Sequence, residues 1–253
     1  MSFAVAAEAY DRFMGRYSAP LAPLLADFAG VASGWRVLDV GCGPGALTTE
    51  LVGRLGADRV AAVDPSEPFV TAARERHPGV AVERASAERL PFGDGEFDAA
   101  LAELVVHFMA DPVSGLQEMG RVTRPGGVVA ACVWDHAPGG QGPLNVFWEA
   151  AREIDPTVDD GSERAGTHAG HLARLFGEAG LRAVDEGALT VEVEHASFDA
   201  WWEPYTLGVG PAGAFVAGLN ADGRARLRRR CEELLPPAPF VQTARAWATR
   251  GAP

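Results

Sequence analysis

The chain has 253 residues, of which 47% are hydrophobic, so it can bury the core of one substantial α/β domain with an accessory region. Its formal net charge of −12 at pH 7 repels phosphate backbones and argues against a nucleic-acid substrate. Charged residues interrupt the N-terminal apolar stretch, which argues against a signal peptide. No run approaches the roughly 20 apolar residues of a membrane span. The 3 cysteines are too far apart for a zinc site or a disulfide framework. We therefore expect a soluble, cytoplasmic protein that holds no metal.

The first predicted element is a helix in the N-terminal segment. Ser18 followed by Ala19 and Pro20 is typical of a helix N-cap with proline in the first turn, and Gly30 predicts the helix end. We assign residues 1–34 to an N-terminal helical cap that precedes the sheet.

The segment 35–135 alternates short apolar runs with helical stretches. The runs predict strands at residues 35–40, 59–63, 80–84, 97–106 and 127–134. Helices are predicted at residues 44–55, from a Ser66 cap to residue 77, and at residues 111–121. Strands that alternate with helices in this way imply βαβ units and a parallel sheet, which we assign as the cofactor-binding core.

The segment 136–253 has a different pattern, which begins with a Gly/Pro-rich stretch. Its predicted elements are helices at 145–153 and 168–179, a strand at 189–195, a mostly helical segment at 197–235 and a strand at 241–249. Two late alternating strands predict an antiparallel edge on the parallel sheet. We assign this segment to an insert, lid helices and closing antiparallel strands of the same domain.

The strongest functional signal is the sequence VLDVGCGPGA of residues 37–46, where a buried strand leads into alternating glycines and a helix. Glycines there let the backbone turn tightly and approach a ligand, although Gly41, Gly43 and Gly45 can also serve helix packing. Asp64 ends the second predicted strand, 23 positions after Gly41, where an acid can accept hydrogen bonds from ribose hydroxyls. Alternatively, Asp64 is a turn residue before Pro65.

With these motifs in this order, residues 35–135 resemble the class I S-adenosylmethionine-dependent methyltransferases that act on small molecules. VLDVGCGPG is similar to the first motif of that family, and SAERLPF at residues 86–92 is similar to its adenine-edge loop. The family usually has an Asp where this chain has Ser86. The resemblance implies an α/β, Rossmann-like methyltransferase fold: a mostly parallel seven-stranded sheet with an antiparallel edge and a helical lid.

The resemblance also implies a cofactor and a reaction, namely methyl transfer from S-adenosylmethionine to a small, apolar or aromatic acceptor by in-line displacement. It predicts a set of cofactor-binding residues, which are Tyr17, Asp39, Gly41, Cys42, Gly43, Leu47, Asp64, Pro65, Ser66, Ser86, Ala87, Glu88 and Glu103. Tyr17 belongs to an N-terminal segment that folds over the cofactor in the family, with Arg16 and Phe13 as weaker candidates. Packing of an amphipathic helix is the alternative for these three residues.

Two residues near the end of the fourth predicted strand are candidates for catalysis. Glu103 ends an otherwise apolar strand, and a carboxylate there is costly to bury unless it is paired or faces a polar ligand. His107 follows one turn later and can accept a proton near neutral pH, or it is a structural histidine. His136 is a weaker third candidate. A general base is optional, because the enzyme mainly has to align the acceptor and exclude water.

Three other patterns have a structural interpretation beside the functional one. Glu118 and Arg121 predict a structural ion pair on a helix. The basic run at residues 224–230 is followed by Glu232 and Glu233, which predicts a solvated helix face and not a nucleic-acid patch. Four aromatic residues suit either the acceptor pocket or the core of the lid, and they are Trp201, Trp202, Tyr205 and Phe215.

Three alternative activities share part of this pattern. An NAD-dependent dehydrogenase has a similar glycine loop and acid. A nucleic-acid methyltransferase usually carries an Asn/Asp-Pro-Pro-aromatic motif at the end of strand four, where this chain reads ELVV at residues 103–106. The third alternative is a catalytically silent or repurposed methyltransferase-like protein that only binds the cofactor.

Overall fold

The computed structural model describes residues 7–253, so the first six residues of the predicted N-terminal cap lie outside the described residues. The described part holds one seven-stranded sheet with strand order β3-β2-β1-β4-β5-β7-β6. Its strands are β1 (Val37–Val40), β2 (Val60–Asp64), β3 (Ala81–Arg84), β4 (Phe97–Glu103), β5 (Thr123–Trp134), β6 (Arg182–His195) and β7 (Phe240–Ala252). The predicted α/β fold with a mostly parallel sheet is confirmed.

The antiparallel part of the sheet is one strand that lies inside the sheet. β1 to β5 pair in parallel, whereas β7 pairs antiparallel with both β5 and β6. β6 therefore forms the edge, and β7 fills the space between it and β5. Because β6 and β7 extend the same sheet, residues 136–253 complete the architecture that residues 35–135 begin.

Ten helices flank or cover this sheet in the described part of the chain. They are α1 (Ala7–Tyr10), α2 (Arg16–Ala29), α3 (Ala46–Leu55), α4 (Glu67–Arg76), α5 (Pro112–Val122), α6 (Asn145–Arg152), α7 (His171–Glu178), α8 (Phe198–Trp202), α9 (Gly210–Gly218) and α10 (Ala221–Leu234). Among residues 7–253, none of these helices is both long and apolar enough to cross a membrane.

The N-terminal helix begins earlier than the sequence predicts. A π-helical turn, Asp11–Gly15, joins α1 to α2, so Ser18 lies inside the helix and is only 3% exposed. The prediction that Ser18 caps the helix is therefore wrong, because the preceding turn is already helical. Gly30 ends α2 with φ = +71°, as predicted.

Two other predicted helix starts, at Asp111 and Ser66, have different caps. Asp111 accepts a hydrogen bond from the Ser114 N–H at 3.1 Å and caps α5. α4 begins directly after Ser66, but the Ser66 side chain makes no capping bond, so this predicted cap is wrong. Instead the Ser66 N–H donates to the carboxylate of Asp64 at 2.8 Å, which makes the local turn without a serine cap.

The sheet has a hydrophobic layer on each face. One layer includes α2, α3 and the lid helices, and the other includes α5 and α7. β1 lies next to β4, and the chain continues from β1 to β2 on one side and from β4 to β5 on the other, so these two connections run in opposite directions across the sheet. In open α/β sheets, such a switch point leaves a crevice at the carboxyl ends of the strands, where ligands bind.

Candidate functional site

The glycine turn after β1 uses its three glycines for different purposes. All three have positive φ, at +75° for Gly41, +53° for Gly43 and +102° for Gly45. A Cβ on Gly41 would lie 2.5 Å from Val105 Cγ1, and one on Gly45 would lie 2.9 Å from His77 Nε2. A Cβ on Gly43 would meet nothing within 4 Å. Gly41 and Gly45 therefore permit close packing, whereas Gly43 leaves open space for a ligand.

A cleft of about 630 Å³ lies beside this turn, within the usual size range of small-molecule sites. Eight of the predicted cofactor-binding residues line it, and they are Gly41, Gly43, Asp64, Pro65, Ser66, Ser86, Ala87 and Glu88. The order of β1, β2, β3 and β4 in the sheet brings these residues together from three loops. We call this space the glycine cleft.

Asp64 organises the glycine turn with both oxygens of its side chain. Oδ2 accepts from the Gly43 N–H at 2.9 Å, and Oδ1 accepts from the Ser66 N–H at 2.8 Å. Burial raises the pKa of this carboxyl above its ordinary value. Each carboxylate oxygen has a second lone pair, so Asp64 can hold the turn and still accept a hydrogen bond from a ligand in the cleft.

Asp39 and Glu103 are buried carboxyl groups with unpaired oxygens. Asp39 Oδ2 accepts from Thr48 Oγ1 at 2.6 Å, but its Oδ1 and both oxygens of Glu103 have no hydrogen-bond partner. Burial raises the pKa of Asp39 to about 7, and burial with the charge of Asp39 raises the pKa of Glu103 well above its ordinary value. Such groups call for a cationic or hydrogen-bond-donating ligand.

Five predicted cofactor residues do not line the glycine cleft, and two of them are the buried carboxyl groups Asp39 and Glu103. Cys42 and Leu47 are buried in the hydrophobic core, with 6% and 2% of their surface exposed. Tyr17 lies between the N-terminal helix and the sheet, where its hydroxyl donates to Gln242 Oε1 at 2.7 Å and lies 3.3 Å from His195 Nε2. Tyr10, in the same aromatic segment, lines the cleft instead.

The predicted adenine-edge loop is tied to α5 by an ion pair. Glu118 Oε2 accepts from the Leu90 N–H at 3.0 Å, and Arg121 donates to the backbone oxygens of Leu90 and Phe92 at 3.2 and 2.9 Å. The two side chains also bond each other, with 2.6 Å between Arg121 Nε and Glu118 Oε1. The predicted helix pair is thus present, and it fixes one wall of the glycine cleft.

A second cavity adjoins the glycine cleft, and the two share Tyr10, Leu104 and Phe108. Its apolar walls include Phe13, Met14, Trp134 and Trp148, and its polar residues are His107, His136, Asp160 and Arg164. We call this space the aromatic cavity. Leu104 has φ = +64°, an unusual backbone angle for a residue with a side chain, at the point where the two spaces meet.

The two histidines of the aromatic cavity lie next to each other. Their ring centroids are 5.8 Å apart, and the Nδ1 atom of each ring is buried without a hydrogen-bond partner. Burial and the charge of Arg164 lower the pKa of His136 to about 4. Burial, His136 and Arg164 lower the pKa of His107 well below its ordinary value. Both rings are therefore neutral at pH 7 and able to accept a proton.

The sequence pattern did not point to Asp160 or Arg164. They lie in an irregular segment between α6 and α7 that has no motif and no periodicity. Only the tertiary structure brings this segment to the end of β4. His136, the weakest histidine candidate, gains importance for the same reason.

The aromatic residues of the lid mostly pack against one another. Tyr205 stacks on Phe147 with ring centroids 4.6 Å apart, and its ring also contacts Trp201 and Trp202. Phe215 contacts Phe147. These rings form the core of the lid and do not line either cavity.

The basic helix α10 is engaged in ion pairs with other parts of the protein. Arg230 binds Glu153 at 2.9 Å and Glu233 at 3.2 Å, and Arg228 binds Asp199. Among residues 7–253, no three His, Cys, Asp or Glu side chains are arranged to hold a metal ion.

Comparison with known proteins is consistent with this geometry. Residues 38–131 match the family model described as "Methyltransferase domain". A protein of Mycobacterium tuberculosis named as an uncharacterized methyltransferase is 40% identical over 160 residues, which cover 63% of this chain and 63% of that protein. A demethylmenaquinone methyltransferase of Beutenbergia cavernae is 38% identical over 112 residues, which cover 44% of this chain and 46% of that protein. The match thus spans less than two thirds of either relative.

The fold is shared with solved structures at much lower identity. The YcgJ protein of Bacillus subtilis superposes with a TM-score of 0.59 at 18% identity, over 91% of this chain and 96% of that one. A likeness at this level concerns the fold alone. Because it covers 91% of this chain, it extends well beyond the matched residues 38–131.

Proposed function

Because residues 38–131 form a class I methyltransferase domain, we propose that this chain transfers the methyl group of S-adenosylmethionine to a small, apolar or aromatic acceptor. One observation carries the proposal: the glycine cleft and the aromatic cavity meet at Tyr10, Leu104 and Phe108. Two ligands bound in these spaces are in contact at that junction, as direct transfer requires.

The residues of the glycine cleft, together with the buried carboxyl groups of the strands β1 and β4, fit this cofactor. The unpaired carboxyl oxygens of Asp39 and Glu103 suit a ligand that carries an ammonium and a sulfonium group. Gly43 leaves room for the ligand, and Asp64 keeps acceptor capacity toward ribose hydroxyls. The match to the methyltransferase domain sets the dehydrogenase alternative aside.

The bound cofactor supplies an activated methyl group that leaves a sulfonium by in-line displacement. The residues of this chain align the acceptor and exclude water. Tyr10, Leu104 and Phe108 form the walls at the junction, and His107 accepts a proton from the acceptor. In this proposal the carboxyl group of Glu103 lies near the cofactor. The positive charge of the cofactor favours the ionised form of this carboxyl group.

The acceptor is a small organic molecule. The aromatic cavity is lined mainly by ring and aliphatic side chains, which favour an apolar or aromatic compound. One matched relative is named for demethylmenaquinone, which supports an organic acceptor of this kind. The ion pairs of α10 and the net charge of −12 argue against a nucleic acid as the acceptor. We propose that the reaction takes place in the cytoplasm.

We also propose roles for the three segments. In the N-terminal segment, which the structure describes from residue 7, Tyr10 reaches the cofactor. Residues 35–135 bind the cofactor, and residues 136–253 supply the lid and complete the sheet. In this proposal Tyr10 takes the part that the sequence pattern assigns to Tyr17.

The first test is calorimetric titration with S-adenosylhomocysteine, with NADH as the control. We expect micromolar binding of the first compound alone. The variant Asp64→Ala is expected to bind it more weakly by about 1–3 kcal/mol, the scale for leaving buried hydrogen-bonding groups unpaired. Binding of NADH instead, or none of either, would overturn the proposal.

The second test is transfer of labelled methyl from S-adenosylmethionine to a panel of small phenols, acids, amines and thiols. Transfer to any of them supports the reaction. Tight cofactor binding with no transfer to any class of acceptor points to the silent or repurposed alternative.

A further inference from the structure

We propose that the acceptor is a phenol, and that His136 and Arg164 act beside His107 on its hydroxyl group. This inference rests on the proposed methyl transfer and names the substrate class and two further residues of that site. It is argued from the polar side of the aromatic cavity, which is formed by His107, His136, Asp160 and Arg164.

The two imidazoles form a pair of proton acceptors at one cavity. Their ring centroids are 5.8 Å apart, and each Nδ1 is buried without a hydrogen-bond partner. A buried polar atom without a partner is rare and calls for a ligand or a chemical role. Two such atoms on neighbouring rings that line one cavity favour a ligand with a hydroxyl group that can bond either ring.

Burial keeps both rings neutral, and the charge of Arg164 acts in the same direction. Arg164 lowers the pKa of both histidines, and His168 adds a smaller effect on His136. Asp135 and Asp160 act on His136 in the opposite direction, but Asp135 is bound to Arg245 at 2.6 Å and Asp160 pairs with Arg152. Burial is the largest cause for both rings, so neither ring carries a charge at pH 7.

Arg164 is held in place at the cavity wall. Its Nη2 donates to Asp159 Oδ2 at 2.7 Å, and its guanidinium lies 5.8 Å from the centroid of the Phe108 ring. A fixed cation near two neutral bases favours negative charge on a bound group. Arg164 is therefore placed to stabilise a hydroxyl oxygen as it loses its proton.

This combination distinguishes between classes of acceptor. An aliphatic amine is protonated at neutral pH, and its ammonium is disfavoured beside Arg164. A carboxylic acid is already ionised and gains nothing from a pair of bases. A phenol is neutral at pH 7 and must lose a proton to become a good nucleophile, and its ring suits walls made by Phe13, Trp134 and Trp148.

The step balances without a further reactant. The phenolic O–H bond breaks, and its proton passes to the Nδ1 atom of one of the two histidines. The oxygen forms a bond to the methyl carbon while the carbon–sulfur bond of the cofactor breaks and its electron pair stays on sulfur. The products are an aryl methyl ether and S-adenosylhomocysteine, and the histidine returns its proton to solvent.

The test compares two phenols in the wild-type protein and in the variants His107→Gln and His136→Gln. One phenol has an ordinary pKa, and the other carries a nitro group and is largely ionised at the assay pH. We expect the variant that removes the proton acceptor to lower kcat about 100-fold on the ordinary phenol, the scale of general base catalysis, and the other variant to lower it less. Both variants should keep most of their activity on the nitrophenol, which does not need a base.

A structural role for the histidines predicts a different result. In that case activity would fall equally on both phenols, and the inference would be overturned. His168→Gln is the matched control, since His168 lies nearby without lining the cavity, and it should leave both activities unchanged. Thermal unfolding and S-adenosylhomocysteine titration of each variant show whether the fold and the cofactor site remain intact.

The variant Arg164→Gln tests the cation. Without its charge the pKa of both histidines rises, so we expect the loss of activity on the acidic side of the pH profile to begin at a higher pH. An unshifted profile would overturn the role of Arg164.

The acceptor class has its own outcome. If S-adenosylhomocysteine binds and amines or thiols are methylated but no phenol is, the inference fails and the proposed function stands. If S-adenosylhomocysteine does not bind, the proposed function itself fails.

Discussion

At the scale of single residues, similar residue types in one motif have different physical roles. Gly41 and Gly45 are needed because Val105 and His77 occupy the positions of a side chain, whereas Gly43 faces open space. The sequence shows three equal glycines, and only the neighbours that the fold supplies separate packing from ligand approach. The two oxygens of Asp39 also differ only in the folded protein. Thr48 donates a hydrogen bond to Oδ2, and Oδ1 has no partner.

The different roles of the glycines are tested by Gly43→Ala with Gly30→Ala as the matched control. Both positions have positive φ and no atom within 4 Å of the added Cβ, so both variants should lose about 1 kcal/mol of stability. Only Gly43→Ala should weaken binding of S-adenosylhomocysteine in calorimetry, because only its methyl group enters the glycine cleft. Unchanged affinity in Gly43→Ala would contradict this assignment.

The buried Asp39 predicts a pH dependence of stability. Burial raises its pKa in the folded protein to about 7, whereas the unfolded chain has the ordinary value of about 4. Between these values the folded protein keeps a proton that the unfolded chain has lost, so the free energy of unfolding falls as the pH rises. The limit for one group is about 1.4 kcal/mol per pH unit.

The measurement is urea unfolding of the wild type and Asp39→Asn between pH 5 and pH 8. We expect the wild type to lose stability relative to the variant up to about pH 7 and the difference to be constant above it. A difference that does not change with pH would show that Asp39 is ionised throughout.

At the scale of elements, the walls of the site are loops that helices hold from behind. The adenine-edge loop follows β3 but is fastened by Glu118 and Arg121 of α5. The segment that carries Arg164 lies between α6 and α7, and it reaches the end of β4 only in the folded protein. The glycine cleft and the aromatic cavity are therefore built by contacts between elements that are distant in the sequence.

The contact between α5 and the loop is tested by Glu118→Gln. Its carboxylate accepts from the Leu90 N–H and binds Arg121, so we expect a loss of about 1–2 kcal/mol in urea unfolding. Binding of S-adenosylhomocysteine should also weaken, since the loop lines the glycine cleft. The control Glu178→Gln removes an exposed pair with Arg174 at 3.8 Å and should change neither quantity.

At the scale of the whole molecule, the N-terminal helices and the lid meet around the aromatic cavity. The N-terminal helices, the sheet and the lid enclose the aromatic cavity, with Tyr10 and Phe13 on one side and Val209 on another. A buried network of Tyr17, His195 and Gln242 joins α2 to β6 and β7. The network and the cavity are separate, although their aromatic residues come from the same segment.

This separation is tested by Tyr17→Phe and Tyr10→Ala. Tyr17→Phe removes a hydroxyl that donates to Gln242, so it should cost about 1 kcal/mol of stability and leave the affinity for S-adenosylhomocysteine unchanged. Tyr10→Ala removes a ring from the glycine cleft and should weaken that affinity about tenfold. The reverse pattern would restore Tyr17 as the cofactor residue.

The sequence by itself determined the order of strands and helices, the glycine turn and the acid at the end of β2. Apolar periodicity, glycines and caps are local properties, and the motifs of residues 37–46 and 86–92 are each one short continuous segment. These local signals also identified eight residues that line the glycine cleft.

Only the tertiary structure decided that β7 lies inside the sheet and that Tyr10, and not Tyr17, lines the glycine cleft. It also decided that His107, His136 and Arg164 line one cavity. β7 pairs with two strands of which one is more than 100 residues away in the chain, and no local pattern records such a partner. The aromatic cavity is likewise made of side chains from six segments that are distant in the chain. Their chemistry arises from burial and from the charges of their neighbours, which exist only once the chain is folded.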